Sequence, residues 1–142
     1  AALGARRRSL LALAAALALA VGLAGFGVGY AVRDPGREVD FEVLLAGRGE
    51  AAGASAQIEV FALDEAGNWP MEVHVRGLPP ARDGRLYELW LTRDGKLAAR
   101  CGGFLAEPDG STDVPMNAPW RLRDFDGWVV VPEGSDEPVL ST

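Results

Sequence analysis

The chain has 142 residues, one cysteine, one histidine and a formal charge of −6 at pH 7. A single cysteine excludes an internal disulfide, and a single histidine excludes any centre built on two imidazoles. The acidic surplus is poorly matched to nucleic acid, which rewards basic patches.

The charge is unevenly spread. Arg6, Arg7 and Arg8 lie in a basic flank, residues 1–9, and residues 10–32 carry no charged side chain. Leu10 to Val32 holds six leucines, three valines and Phe26 among Ala and Gly. As a helix these residues reach roughly 35 Å, against a hydrocarbon core of about 30 Å. Each large apolar residue contributes about −0.3 to −0.6 kcal/mol to insertion, and no charge opposes them at about +3 kcal/mol. The spacing predicts a single transmembrane helix. The positive-inside rule places Arg6–Arg8 in the cytoplasm and everything from Arg33 onward outside it.

A cleaved signal peptide shares the basic start, the apolar run and a small-residue site at Ala18-Leu19-Ala20. The apolar stretch continues twelve residues past Ala20, longer than a signal sequence needs. A retained anchor is therefore the expectation. Gly22, Gly25, Gly27 and Gly29 crowd its outer half. Gly25 and Gly29 have the small-xxx-small spacing that lets two helices pack as a homodimer. So Gly- and Ala-rich a segment gives that spacing by chance as well. Each glycine weakens the helix by about 1 kcal/mol relative to alanine, so the outer half should unwind more readily than the inner half. The chain opens on Ala1 rather than Met, which suggests a longer protein with a cytoplasmic N-terminal part.

Residues 33–38 form a polar stalk, and residues 39–142 are sized for one domain. All twenty acidic residues lie from residue 33 onward with eleven of the Lys and Arg, so the outer part carries −9. Short runs of period-two alternation, separated by Gly, Pro, Asp and Asn, predict strands. They fall at Val39–Leu45, Ala56–Leu63, Met71–Arg76, Leu86–Thr92, Lys96–Phe104, Ser111–Met116, Trp128–Val131 and Pro138–Ser141. Asp94-Gly95 between the fourth and fifth reads as a type I′ hairpin. Gly102 and Gly103 read as a bulge or a close backbone approach. Only Arg121–Asp124 has helical character beyond the span. Eight strands and short turns predict an all-β fold, an antiparallel β-sandwich preceded by one transmembrane helix.

The chemistry sought in this domain is mostly missing. His74 is the only candidate base and sits on an alternating strand between Val73 and Val75. His74, Cys101 and Met116 fall one histidine short of a copper site. No His, Cys and carboxylate spacing matches a zinc site. Asp124 and Asp126 read as turn residues before they read as an acid–base or calcium pair. No Gly-rich phosphate loop opens a helix. Trp69, Trp90, Trp120 and Trp128 could line a groove or fill a core. Neither a catalytic residue nor a cofactor or metal is expected, so the chain does not read as an enzyme.

One set of residues is more specific. Tyr87-Glu88-Leu89-Trp90-Leu91 is followed by Asp94-Gly95-Lys96 and Gly102-Gly103-Phe104. Trp128-Val129-Val130-Val131-Pro132 and Pro138-Val139-Leu140 then close the chain. With the preceding span, this order resembles the extracytoplasmic domain of RskA-type anti-sigma factors over about residues 40–142. The resemblance implies a single-pass membrane regulator whose cytoplasmic N-terminal domain holds an extracytoplasmic-function sigma factor. Release follows cleavage by a site-1 protease outside and then by an intramembrane protease. The sigma-binding domain, often marked in that family by a His-x-x-x-Cys-x-x-Cys motif, lies outside these 142 residues. The competing reading is a membrane-tethered binding module for a small ligand, glycan or protein.

Overall fold

Alternation of apolar and polar side chains sets both the strands and their inward faces. In the computed structural model, which describes residues 37–142, eight strands follow the predicted order. They are β1 (Val39–Gly47), β2 (Ser55–Phe61), β3 (Trp69–Arg76), β4 (Tyr87–Arg93), β5 (Lys96–Phe104), β6 (Ser111–Ala118), β7 (Gly127–Pro132) and β8 (Leu140–Ser141). The span expected at 10–32, with its four glycines, and the basic flank lie outside the described residues. Among the described residues no helix is long and apolar enough to cross a membrane. The helical character near Arg121–Asp124 becomes one 3-10 turn, Leu122–Asp124.

All strand pairs are antiparallel, and they join in the order β5-β4-β7-β8-β1-β2-β3-β6. This corrects the expected sandwich of two separate sheets: there is one sheet, curled nearly into a barrel. The two-residue strand β8 makes the difference. Ser141 pairs with Ala46 and Val129, and Leu140 pairs with Gly47 and Val130. It thereby stitches the β5-β4-β7 half to the β1-β2-β3-β6 half. At the opposite seam β5 and β6 lie against each other without a ladder. A Cβ on Gly102 would stand 3.0 Å from Met116 Sδ, so the glycine is what lets β6 come that close.

The apolar faces read from alternation point inward. Ile58, Val60, Val73, Val75, Leu89 and Leu91 are 0% exposed, and Val130 and Leu140 join them. Burying a side chain of this size is worth about 1.5–3 kcal/mol, so this face dominates the stability of the domain. Tyr87 and Phe104 stack at 5.8 Å between centroids, and the Tyr87 hydroxyl donates to the Pro79 carbonyl at 2.7 Å. The β4–β5 hairpin turns at Asp94 (φ 53°) and Gly95 (φ 73°), the type I′ geometry expected of Asp-Gly. Bulges displace Cys101 and Ala98 from the ladder, where Leu89 pairs with Gly102 but Trp90 with Arg100, and Leu91 with Ala99 but Thr92 with Leu97.

Candidate functional site

Two surface features stand out once the core is accounted for. The first is a cleft of about 550 Å³ lined by Phe41, Leu63, Trp69, Trp120, Trp128, Arg121 and Arg123, with neighbouring loop residues. It sits where β1, β3 and β7 begin and β6 ends. Phe41 meets Trp69 edge-on at 6.3 Å. Trp120 is 42% exposed and is held by an Nε1–H donated to the Arg100 carbonyl at 3.1 Å. Three of the four tryptophans thus share one wall of the molecule. Trp90 is elsewhere, donating to Glu88 Oε2 at 3.0 Å, while Glu88 Oε1 pairs with Arg100 Nε at 2.9 Å. A second hollow of about 630 Å³ at the other end of the strands is lined by Arg48, Tyr87, Pro132 and the 135–139 turn, among others.

The other feature is a charged patch on the outward face of β2, β3 and β6. His74 Nδ1 lies 2.7 Å from Asp113 Oδ1, and Arg76 Nη2 lies 2.9 Å from that same oxygen. His74 Nε2 faces Glu59 Oε2 at 3.4 Å. Burial works to lower the His74 pKa, but the hydrogen bonds to Asp113 and Glu59 outweigh it and raise it above the ordinary value. The same bonds from His74 and Arg76 hold Asp113 below the usual carboxylate range. Glu72 stands directly across from Glu59 in the β2–β3 register. One donor atom each from Glu59, Glu72 and His74 all lie within 4.8 Å of one another.

The fold thus brings together three side chains of metal-ligating type that the sequence spacing does not group, because the donors come from facing strands. The signal was there in Glu72-x-His74, two residues apart on one face of β3, with Glu59 opposite. The other residues singled out for chemistry serve the architecture instead. His74 bonds to carboxylates rather than to Cys101 or Met116. Asp126 braces the hairpin, accepting from Thr92 Oγ1 at 3.0 Å and from the Asp94 amide at 2.6 Å. Arg93 Nε donates to the Asp124 carbonyl at 3.1 Å, so the two aspartates serve the β4–β5 hairpin. Burial pushes the Cys101 thiol up to about 12, leaving it a packed side chain rather than a nucleophile.

The residues that carry the family resemblance also turn out to be architectural. Tyr87, Leu89, Leu91, Phe104 and Leu140 are core; Asp94 and Gly95 make the turn; Gly102 admits Met116; Pro138 leads into β8. Trp128 alone reaches the cleft.

The family model described as anti-sigma-K factor RskA, C-terminal, matches residues 10–138. The chain belongs to that family, which is regulatory rather than enzymatic. No curated protein and no solved structure matches it.

Proposed function

We propose that this chain is the anchored outer half of an anti-sigma factor. In this reading residues 10–32 cross the cytoplasmic membrane with Arg6–Arg8 inside. Residues 39–142 lie outside as the domain that controls release of an extracytoplasmic-function sigma factor. The sigma factor binds a cytoplasmic domain preceding Ala1. A site-1 protease cuts outside, and an intramembrane protease then cuts within the Gly22–Gly29 half of the span. The observation that carries the reading is the extent of the family match: residues 10–138 take in the uncharged run and the β domain as one piece.

Topology is tested with single cysteines in a Cys101→Ser background. A membrane-impermeant maleimide should label Leu63→Cys in intact cells and Ser9→Cys only after permeabilisation. The reverse pattern refutes the proposed orientation. The partner is tested by purifying the protein with whatever is encoded before Ala1. An extracytoplasmic-function sigma factor should come with it, and its absence refutes the sigma-binding role. Replacing Gly22, Gly25, Gly27 and Gly29 by leucine should slow release of the sigma factor. Unchanged release would show that helix weakness is not what the second protease uses.

The gathering of Trp69, Trp120 and Trp128 around one cleft supports a second reading, a tethered binding module for a small ligand, glycan or protein. The two readings are compatible, since a regulatory domain needs an input.

A further inference from the structure

We propose that Glu59, Glu72 and His74 form a binding site for a divalent transition-metal cation, with zinc the best match to the donor set. The site lies on the outward face of β2 and β3, away from the aromatic cleft, and does not depend on the sigma-factor reading.

The geometry of His74 carries the argument. Its Nδ1 is taken up by Asp113 at 2.7 Å, and Asp113 is itself held by Arg76 at 2.9 Å. A carboxylate at Nδ1 is the arrangement that orients metal-binding imidazoles in proteins, and a cation on Nε2 would take the place of the proton that nitrogen shares with Glu59. Here Nε2 meets Glu59 Oε2. Its 3.4 Å separation from Glu59 Oε2 is long for an N–H···O hydrogen bond, whose usual length is about 2.9–3.0 Å. The same separation matches the edge of a tetrahedron with metal–ligand bonds of about 2.0–2.1 Å. The third donor comes from Glu72, within 4.8 Å of the other two. The Glu72 side chain makes no hydrogen bond or ion pair among the described residues, so it has no other partner to leave.

Charge points the same way. Glu42 pairs with Glu59 across β1–β2, and Glu59 with Glu72 across β2–β3, so three carboxylates stand in one row. Like charges directly opposite are destabilising. Arg76 is drawn toward Asp113 on the next row, and His74 is shared between Asp113 and Glu59, with the shorter contact to Asp113. A divalent ion between Glu59, Glu72 and His74 would offset the charge of the two glutamates it touches and cross-link β2 to β3. One imidazole with two carboxylates and room for water suits zinc better than calcium or magnesium, which prefer all-oxygen shells.

The test titrates zinc alone into the full chain in detergent, without a polyhistidine tag, by calorimetry and by competition with a chromophoric chelator. Cobalt substitution reports geometry. One zinc per chain is expected, with a tetrahedral cobalt spectrum. Glu59→Gln, Glu72→Gln and His74→Gln should each weaken binding at least tenfold while the far-UV circular dichroism stays unchanged. Asp113→Asn, which removes the orienting carboxylate, should weaken it by about 10–100-fold. Cys101→Ser should leave affinity unchanged. Three results overturn the proposal: no saturable binding, equal binding by the Glu59→Gln/Glu72→Gln double variant, or binding lost with Cys101→Ser. In the first case the patch is an ion-pair network only.

Discussion

Leu140→Ala is the sharpest test of how this sheet is held together. Leu140 is 0% exposed in the two-residue strand that pairs with Gly47 on one side and Val130 on the other. Truncation removes three carbons from the core and leaves a cavity at the junction of the two half-sheets. Buried Leu→Ala changes cost about 2–5 kcal/mol, and the upper part of that range applies where surroundings cannot collapse. Here the flanking Val130 and the backbone at Gly47 are both locked in ladders. For a domain of about 100 residues, 1 kcal/mol moves Tm by about 4–5 °C, so a drop of roughly 15–25 °C is expected. Thermal and urea unfolding of the 38–142 domain, followed by circular dichroism, would measure it. The wild type should unfold in one transition. Leu105→Ala, at a residue 57% exposed, should stay within about 0.5 kcal/mol of wild type. A Leu140→Ala loss below about 1 kcal/mol would refute the claim that β8 joins the halves into one cooperative sheet.

Two other outcomes follow from single positions. A Cβ at Gly47 would stand 1.7 Å from the Ala51 carbonyl oxygen, so Gly47→Ala must open the 47–54 turn and break the Gly47 amide bond to Ala54 (2.8 Å). The variant should be destabilised by more than about 2 kcal/mol in the same urea assay, or fail to fold, and a neutral effect would show that turn to be wrong. With its pKa at about 12, Cys101 should resist iodoacetamide at pH 8 in the native protein and react readily in urea. The sign for stability follows. The unfolded thiol ionises above about 9 and the folded one does not, so stability falls as pH rises from 9 toward 12. Equal native and denatured labelling rates would refute the burial.

Much of this protein was legible along the chain because its signals are local. The eight strands, the Asp94-Gly95 turn and the inward set Met71, Val73, Val75, Tyr87, Leu89 and Leu91 each depend on alternation or on a two-residue conformational preference. The same holds for the uncharged run at 10–32, where composition over one segment is the whole signal. β2 ends at Phe61 rather than Leu63, since the Asp64 side chain caps a turn there, accepting from the amides of Ala66 (3.0 Å) and Asn68 (2.8 Å).

What lies across strands needed the tertiary structure. Whether Val129–Val130 and Ala46–Gly47 belong to one sheet turns on Leu140 and Ser141, two residues too few to carry a periodic signal. The grouping of Trp69, Trp120 and Trp128, from positions far apart in the chain, depends on which strand ends meet. Glu59, Glu72 and His74 come together only through the β2–β3 register, and a slip of one residue would send Glu72 and His74 to the core face. Alternation decides which way a side chain points; only the pairing of strands decides which others it meets.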